Sequence, residues 1–365
     1  MKLSSDDLPF FFDATHQALA LRLRDIAPPL ADDHDSARLA ARMGSEHGLY
    51  DWLVPTGPAH DVRALCLIRE ALGQFNATAD SIFAVQGLGA CTVWMAGTPA
   101  QKETLAGVKD GSVIGGFGLT EPGAGSDVKA LSTTATPDGD GWRLNGEKTF
   151  ISNVGIAHRF TVFAKVDGQI TAFLVPAEDC DPEPIEMSVN HPIGRLRFDN
   201  VRIGPQALVG ELGGGLKLAL STLGTFRVTV AAAAVGMARR ALDEALGHVQ
   251  RRTQFGKPLA AQQTVQSYLA EMAVELDAAR LLVYRAAWLK DTTGQRAALE
   301  VSMAKLFATE AAQRVIDKAV QLHGGLGVTA GTPVEALYRE IRPLRIYEGT
   351  TEIQRLIIAR ELLNV

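Results

Sequence analysis

Long helical runs that follow a triple glycine constrain the fold of this chain most. After Gly213-Gly214-Gly215, apolar residues recur at helical spacing. The runs cover residues 216–251, 260–290 and 296–322, and a further amphipathic helix follows Glu348. Four long helices joined by short loops are typical of a helix bundle. The sequence therefore predicts a C-terminal four-helix-bundle domain at residues 206–365.

The first third of the chain also predicts helices. Apolar residues recur three and four positions apart in several short runs, and Pro28-Pro29 ends the first of them. These runs cover residues 19–26, 39–49, 63–72, 81–95 and 101–108. We therefore place an N-terminal α-helical domain at residues 1–110.

The middle of the chain has the alternating pattern of β-strands. Apolar and polar residues alternate on both sides of Asp167-Gly168, and Asn145-Gly146 is a second strong hairpin signal. These strands predict a middle β-domain at residues 111–205, either a small barrel or a sandwich. The predicted fold class is thus α+β multidomain, with helical domains before and after the sheet.

Composition excludes several classes of protein. The 365 residues carry a net charge of -5, which offers no basic surface for nucleic acid or an anionic membrane. The acidic N-terminus does not match a signal or transit peptide, and no apolar stretch approaches the length of a membrane span. Three separated cysteines and eight histidines show no metal-ligand spacing. We expect a cytoplasmic protein without a metal site.

One carboxylate near the C-terminus stands out chemically. Glu348 precedes Gly349, where an extended piece is expected to meet the last helix, which Thr350 or Thr351 can cap. We expect a carboxylate on such a turn, with Ile346 and Tyr347 beside it, to be partly desolvated and so to be a better proton acceptor. Glu348 is thus a candidate catalytic base. The alternative is a surface glutamate in the first helical turn, where the helix dipole favours it.

A glycine-rich stretch opens the predicted β-domain. Residues 113–127 contain five glycines, which let a backbone pass close to a flat ligand. The stretch has no Gly-Lys-Ser/Thr ending and no surrounding βαβ unit, so it is neither a Walker loop nor a Rossmann fingerprint. Without further context, a plain glycine-rich surface loop is the favoured explanation.

Taken together, four separated segments resemble the acyl-CoA dehydrogenase family. Their order and spacing agree with that family over essentially the whole chain. The segments are Phe117-Gly-Leu-Thr-Glu-Pro-Gly-Ala-Gly-Ser-Asp127, Arg252-Thr-Gln-Phe-Gly-Lys257, Gln321-Leu-His-Gly-Gly-Leu-Gly327 and Tyr347-Glu-Gly-Thr-Thr-Glu-Ile-Gln354. Each segment alone is weak, whereas the set is specific.

The resemblance implies an FAD cofactor. The positions that match flavin-ring contacts are Phe117, Leu119, Thr120, Phe150 and Ser152. The positions that match contacts to the rest of the FAD, in part across subunits, are Arg252, Gln254, Phe255, Gln321, Gly324, Gly325, Thr350 and Glu352. The family more often has Trp at the Phe150 position, so stacking is kept and an edge hydrogen bond is lost. Cofactor sites shared between subunits imply a homodimer or homotetramer.

The resemblance also implies the reaction. Glu348 would remove the α-proton of an acyl-CoA thioester while flavin N5 accepts a hydride from the β-carbon, giving the trans-2-enoyl thioester. Some relatives carry the base at the position of Phe226, which cannot accept a proton. An electron-transferring flavoprotein is the implied electron acceptor.

Substrate contacts are implied for four residues. These are Ser126, Arg227, Tyr347 and Gly349. For Arg227, a buried ion pair that holds the bundle is an equal alternative. The family usually has an Asp three residues earlier, where this chain has Gly224, so the carrier is either CoA or a protein-bound pantetheine.

Two other functional classes stay open. A flavin oxidase or monooxygenase on the same scaffold would react with oxygen, and related nitroalkane oxidases use Asp as the base, unlike Glu348. A non-catalytic binding protein would be expected to lose the base or the Arg252–Phe255 cluster, and both are kept. The dehydrogenase is therefore the first hypothesis.

Overall fold

A computed structural model describes residues 1–364 of the chain. The helices that precede the sheet are α1 Ser4–Asp7, α2 Ala14–Ile26, α3 Ser36–Ser45, α4 Val62–Phe75, α5 Ala77–Ala96, α6 Pro99–Glu103 and α7 Leu105–Lys109. The helices that follow it are α8 Gly215–Arg251, α9 Gln263–Thr293, α10 Ala298–His323, α11 Pro333–Leu344 and α12 Thr351–Leu363. The predicted order of helical region, sheet and helical region is confirmed.

The chain divides into two compact units, each discontinuous in sequence. One unit contains Met1–Asp32, Asp61–Asp80 and the chain from Arg227 onward, and the other contains Asp33–His60 and Ser81–Phe226. We call the first the base unit, because it contains the candidate base Glu348, and the second the sheet unit. Helices α5 and α8 each contribute residues to both units. The three sequence domains predicted above remain a prediction.

The strands form one sheet in the sheet unit, apart from a small separate hairpin. They are β1 Gly115–Gly118, β2 Thr134–Asp138, β3 Gly141–Ser152, β4 Arg159–Val166, β5 Gln169–Pro176, β6 Pro182–Pro184, β7 Ile193–Ile203, β8 Leu208–Val209, and the hairpin β9 Thr253–Gln254 with β10 Lys257–Pro258. The order is β6-β7-β3-β2-β4-β5-β8, and β1 pairs with β4 in parallel.

Both faces of the sheet are buried along β4. Along β4, Val162 and Ala164 belong to one apolar cluster and Phe163 belongs to another. Successive side chains of a strand point to opposite faces, so the two clusters lie on the two sides of the sheet. The second cluster also takes in Leu218 from the start of α8.

In the base unit, α4 and α8 approach each other closely at two glycines. A Cβ atom on Gly73 would come 2.6 Å from the carbonyl oxygen of Ala233, and one on Gly236 would come 2.0 Å from that of Glu70. Only glycine allows backbones this close without displacement. The two helices are therefore held in a fixed register.

Several local predictions were wrong. Asn145-Gly146 lies inside β3, where the register with β7 shifts and Gly146 has φ +143°, so the pair forms a bulge instead of a turn. The helix expected at 101–108 is two short helices that meet at Thr104. Helix α11 was missed, and the expected extended piece before Glu348 is instead a set of turns. The C-terminal region thus has three long helices and two shorter ones among residues 1–364.

The prediction about apolar length also needs correction. Within residues 1–364, α8 is long and apolar enough to cross a bilayer by length and composition alone. Yet 67% of the most apolar 18-residue stretch of α8 is buried inside the protein, as expected for the core helix of a bundle.

Candidate active site

The base unit presents Glu348 on an unusual turn between α11 and α12. Glu348 has φ +52° and Gly349 has φ +93°, both in the left-handed region. A glutamate there is strained, and such strain persists only when its surroundings hold it. Thr350 caps α12 by accepting a hydrogen bond from the Ile353 backbone N–H, as predicted. Thr351 instead donates its hydroxyl to Glu310 at 2.6 Å.

The carboxylate of Glu348 is available for chemistry. Its Oε2 atom is buried and accepts no hydrogen bond from any residue between 1 and 364. Burial raises the pKa of Glu348 above its ordinary value, although the cations of Arg69, Arg227 and Lys305 oppose that rise. A raised pKa makes the carboxylate a stronger proton acceptor, and the cations favour its ionised form.

Two of these cations hold the backbone of the turn. Arg227 Nε donates to the carbonyl oxygen of Glu348 at 3.1 Å, and Lys305 Nζ donates to that of Gly349 at 2.8 Å. The Gly349 carbonyl also accepts from Gln354 Nε2 at 2.9 Å. Arg227 thus has a structural contact with the backbone of Glu348, whereas the ion pair considered for it from the sequence is not formed within residues 1–364.

The third cation belongs to a buried ion pair. Arg69 on α4 binds Asp80 on α5 through two hydrogen bonds of 2.8 and 2.7 Å, and neither side chain is exposed to solvent by more than 2%. Its remaining donors reach Thr229 at 3.0 Å and the side chain of Tyr347. The predicted substrate residue Tyr347 is therefore fixed next to Glu348 by a group that the sequence did not single out.

In the sheet unit, the predicted flavin-ring residues lie in and just after β1 and in the last part of β3. Phe117 is in β1, and Leu119 and Thr120 follow it directly. The backbone N–H of Thr149 donates to the carbonyl of Thr120 at 2.9 Å, which brings that loop beside the next residue of β3, Phe150. Ser152 ends β3. The predicted substrate residue Ser126 is exposed and lies on the loop between β1 and β2.

A buried ion pair holds the loop that contains Leu119 and Thr120. Lys148 on β3 donates to Glu121 and to the carbonyl of Leu119. Glu121 also accepts from the backbone N–H groups of Ser132 and Thr133. The pair therefore fixes both ends of the Leu119–Glu121 segment.

Phe150 has the features expected of a ring that covers a flat ligand. Its backbone has φ +55° and its side chain is 59% exposed. A large apolar side chain that is both exposed and strained is costly unless something covers it. The residues at this edge thus fit the flavin that the sequence predicts.

The remaining predicted cofactor residues are exposed. Arg252, Gln254 and Phe255 lie on or beside the β9–β10 hairpin, and Phe255 is 92% exposed. Gln321, Gly324 and Gly325 lie at the end of α10, where a Cβ on either glycine would meet nothing within 4 Å. Glu352 is an exposed residue in the first turn of α12. Open space and exposed donors suit contacts made with a cofactor or another subunit.

A cluster with ligand-type atoms lies elsewhere in the base unit. Ligand atoms of His16, Asp61 and Asp291 lie within 4.8 Å of one another. His16 Nε2 is 3.0 Å from Asp61, and Asp291 accepts from the Arg63 side chain at 2.8 Å. The Arg63 guanidinium already supplies positive charge there, so the arrangement is that of an ion-pair network.

Sequence reasoning missed Arg69, Asp80 and Lys305. A signal was present for Lys305, because it falls on the apolar face that Val301, Ala304 and Ala308 form at helical spacing. A charged residue on such a face is seldom buried without a partner.

Comparisons with known proteins agree with this geometry. The protein-family sequence model for the acyl-CoA dehydrogenase middle domain matches residues 116–201. The one for the acyl-CoA dehydrogenase C-terminal domain matches residues 213–363. The chain is 39% identical to the mitochondrial short-chain specific acyl-CoA dehydrogenase of Bos taurus, covering 96% of this chain and 90% of that one. It is 36% identical to the 3-(aryl)acrylate reductase of Clostridium sporogenes, over 97% of this chain and 100% of that one.

A solved structure gives the same result. The glutaryl-CoA dehydrogenase of Mycobacterium smegmatis in complex with FADH2 superposes with a TM-score of 0.91 at 29% identity, over 98% of this chain and 97% of that one. The chain therefore belongs to the acyl-CoA dehydrogenase family. The predicted class of protein, an FAD-dependent oxidoreductase, is confirmed.

Proposed function

We propose that this protein converts an acyl-CoA thioester to its trans-2-enoyl thioester, with Glu348 as the catalytic base. The observation that carries this proposal is the buried, unpartnered Oε2 of Glu348 on a strained turn. The free oxygen of this carboxylate can accept a proton, so the reaction needs a substrate that donates one. The α-carbon of a thioester supplies one, because its C–H is weakly acidic.

The chain's own residues position the proposed base. Arg227 and Lys305 hold the two carbonyls of the turn, so the carboxylate stays aimed in one direction. The backbone N–H of Glu348 polarises the thioester carbonyl in our proposal, in the manner of an oxyanion hole. Bound FAD supplies the acceptor for the hydride that leaves the β-carbon.

We assign the cofactor contacts in two groups. The flavin ring is bound by Phe117, Leu119, Thr120, Phe150 and Ser152, and the rest of the FAD is bound by Arg252, Gln254, Phe255, Gln321, Gly324, Gly325, Thr350 and Glu352. The exposure of Phe150 and of the β9–β10 hairpin supports this assignment. We further propose a homodimer or homotetramer that shares these sites, and an electron-transferring flavoprotein as the acceptor.

Four residues are proposed for substrate binding: Ser126, Arg227, Tyr347 and Gly349. The carrier is a separate question, because Gly224 stands where the family usually has Asp. A Cβ on Gly224 would meet nothing within 4 Å, so Gly224→Asp is sterically tolerated within this chain. The variant allows the carrier to be tested directly.

The test is anaerobic bleaching of the flavin by a panel of saturated acyl thioesters. One acyl class should reduce the wild type, and Glu348→Gln should slow that reduction by about 10³-fold, the usual contribution of a general base. Glu361→Gln is the matched control, since Glu361 is an exposed glutamate on α12. Equal rates for wild type and Glu348→Gln would refute the proposed base.

The panel should contain both CoA thioesters and thioesters on a phosphopantetheine carrier protein. Reduction by CoA thioesters alone, strengthened by Gly224→Asp, supports the dehydrogenase as proposed. Reduction by the carrier-protein thioesters alone overturns the CoA assignment. Failure of every thioester makes the oxidase alternative the leading one.

A further inference from the structure

Lys305 is the least expected charged residue near Glu348. It lies in the first third of α10, its side chain is fully buried, and its neighbours on that face carry no charge. Within residues 1–364, Lys305 forms no ion pair with a carboxylate closer than 4.0 Å. Its ammonium group instead donates to the carbonyl oxygen of Gly349 at 2.8 Å.

A buried ammonium group needs a compensating negative charge. Burial lowers the pKa of Lys305 to about 8, and the nearby carboxylates oppose that change. Glu310 is already bound by Arg345 and Thr351, and Glu352 is exposed. The ionised carboxylate of Glu348 is therefore the main charge that balances Lys305.

The same lysine fixes the shape of the turn. Lys305 on α10 and Gln354 on α12 both donate to the Gly349 carbonyl, while Arg227 on α8 donates to the carbonyl one residue earlier. Three donors on three helices thus hold two consecutive carbonyls. A glutamate at φ +52° requires such support, because the left-handed region is unfavourable for residues with a Cβ.

We propose that Lys305 is a positioning residue, which fixes the Gly349 carbonyl and keeps Glu348 ionised and aimed at the substrate. This inference rests on the proposed role of Glu348 as the base. Lys305 itself does not touch the reacting atoms. It acts through the backbone of the turn and through the electrostatic field at the carboxylate.

The charges around Glu348 allow the sign of the effect to be worked out. Arg69, Arg227 and Lys305 face it as cations, and Asp80 faces it as an anion. The Asp80 charge largely cancels that of Arg69, because the two form a close ion pair. Loss of Lys305 then leaves Arg227 as the main uncancelled cation, so the pKa of Glu348 rises.

The experiment measures the titration of Glu348 in the FAD-loaded protein by infrared difference spectroscopy. The carboxylate band of Glu348 is the band that disappears in Glu348→Gln. In Lys305→Met, the midpoint of this band should move upward by about one pH unit, the size expected from an opposite charge at close range. Lys305→Gln keeps a hydrogen-bond donor without the charge, so it should show most of the same shift.

Lys318→Met is the matched control. Lys318 lies on the same helix and pairs with Glu271 at 2.9 Å, away from the base turn. It should leave the midpoint unchanged. A midpoint in Lys305→Met or Lys305→Gln that equals the wild-type value would overturn the proposal, and whichever of the two variants folds is sufficient for the measurement.

Flavin reduction separates this proposal from the previous one. At saturating substrate, the pH at which the reduction rate is half-maximal should move upward with the infrared midpoint in Lys305→Met. If Glu348→Gln reduces flavin normally, the proposed base is wrong, yet the infrared shift still decides whether Lys305 controls the ionisation of Glu348. If the pH dependence of flavin reduction stays unchanged while the midpoint of the Glu348 band shifts, Lys305 controls the ionisation of Glu348 but does not affect the reaction.

Discussion

The Nζ atom of Lys148 lies 2.7 Å from Oε1 of Glu121, and both side chains are buried. Burial opposes ionisation of Glu121, but the hydrogen bonds from Lys148 and from the Ser132–Thr133 segment outweigh it and lower the pKa of Glu121 to about 2. Both partners are therefore charged at neutral pH. Lys148→Met should lower the free energy of unfolding by about 3 kcal/mol, because it leaves a buried carboxylate without its cation.

Urea unfolding at several pH values checks this prediction. The stability that ionised Glu121 contributes is fully present above its unfolded pKa of about 4.5 and is lost as the pH falls toward 2. The difference in the free energy of unfolding between wild type and Lys148→Met should therefore become smaller over that range. Arg197→Met is the control, because Arg197 pairs with Glu183 at 2.6 Å on the surface. Its effect should stay below about 0.5 kcal/mol. A difference independent of pH would contradict the assigned pair.

Gly349→Ala should disturb both stability and catalysis. Gly349 has φ +93°, and a Cβ there would lie 2.6 Å from Nε2 of Gln354, one of the donors that hold the turn. Displacement of the base by about 1 Å should slow flavin reduction about 10²-fold. Gly294→Ala is the control, since Gly294 has φ +64° with nothing within 4 Å of a Cβ. It should cost about 1 kcal/mol of stability and leave the reduction rate unchanged.

Phe150→Gly should separate cofactor binding from folding. Glycine relieves the strain at φ +55°, and the exposed ring contributes little to the core, so the thermal unfolding temperature of the apoprotein should not fall. The FAD dissociation constant should rise roughly tenfold, because a stacked aromatic contact is lost. Asn200→Gly relaxes a similar φ of +55° on an exposed strand residue and should leave FAD affinity unchanged. Equal FAD affinities for wild type and Phe150→Gly would exclude Phe150 as a flavin contact.

Mixed assemblies test whether FAD sites are shared. Arg252→Ala should lose FAD, and Glu348→Gln should keep FAD and lose flavin reduction, so neither variant is active alone. When the two are unfolded and refolded together, a subunit with intact Glu348 receives Arg252 from its neighbour, and substrate-dependent flavin reduction should return. Separate refolding followed by mixing is the control. No recovery in the co-refolded sample would indicate that each subunit binds FAD by itself.

Much of the fold could be predicted because periodic patterns are local. Helices α8, α9 and α10 were located within a few residues, and the hairpin at Asp167-Gly168 was correct. Asn145-Gly146 carries the same local signal yet forms a bulge, because β3 continues past it to pair with β7. Pairing with a distant strand is not contained in a two-residue pattern.

The candidate site was predictable only in part for a similar reason. Glu348 and the glycine beside it are adjacent, so their chemistry could be inferred from the sequence. Lys305 contacts Gly349 across 44 positions, and Arg69 meets Asp80 from a different helix. Such contacts depend on how helices pack, which the sequence pattern does not specify.

The discontinuous make-up of the base unit has a consequence for biosynthesis. The sheet unit is complete once residue 226 has been made, whereas the base unit needs its first segment and the last helix together. Glu70 shows what this means. Its carboxylate accepts hydrogen bonds from Ser4 near the start of the chain and from Tyr284 on α9. The second of these bonds can form only after 214 further residues have been synthesised. A protein assembled in this order can fold its sheet unit during translation, before Glu348 has been synthesised.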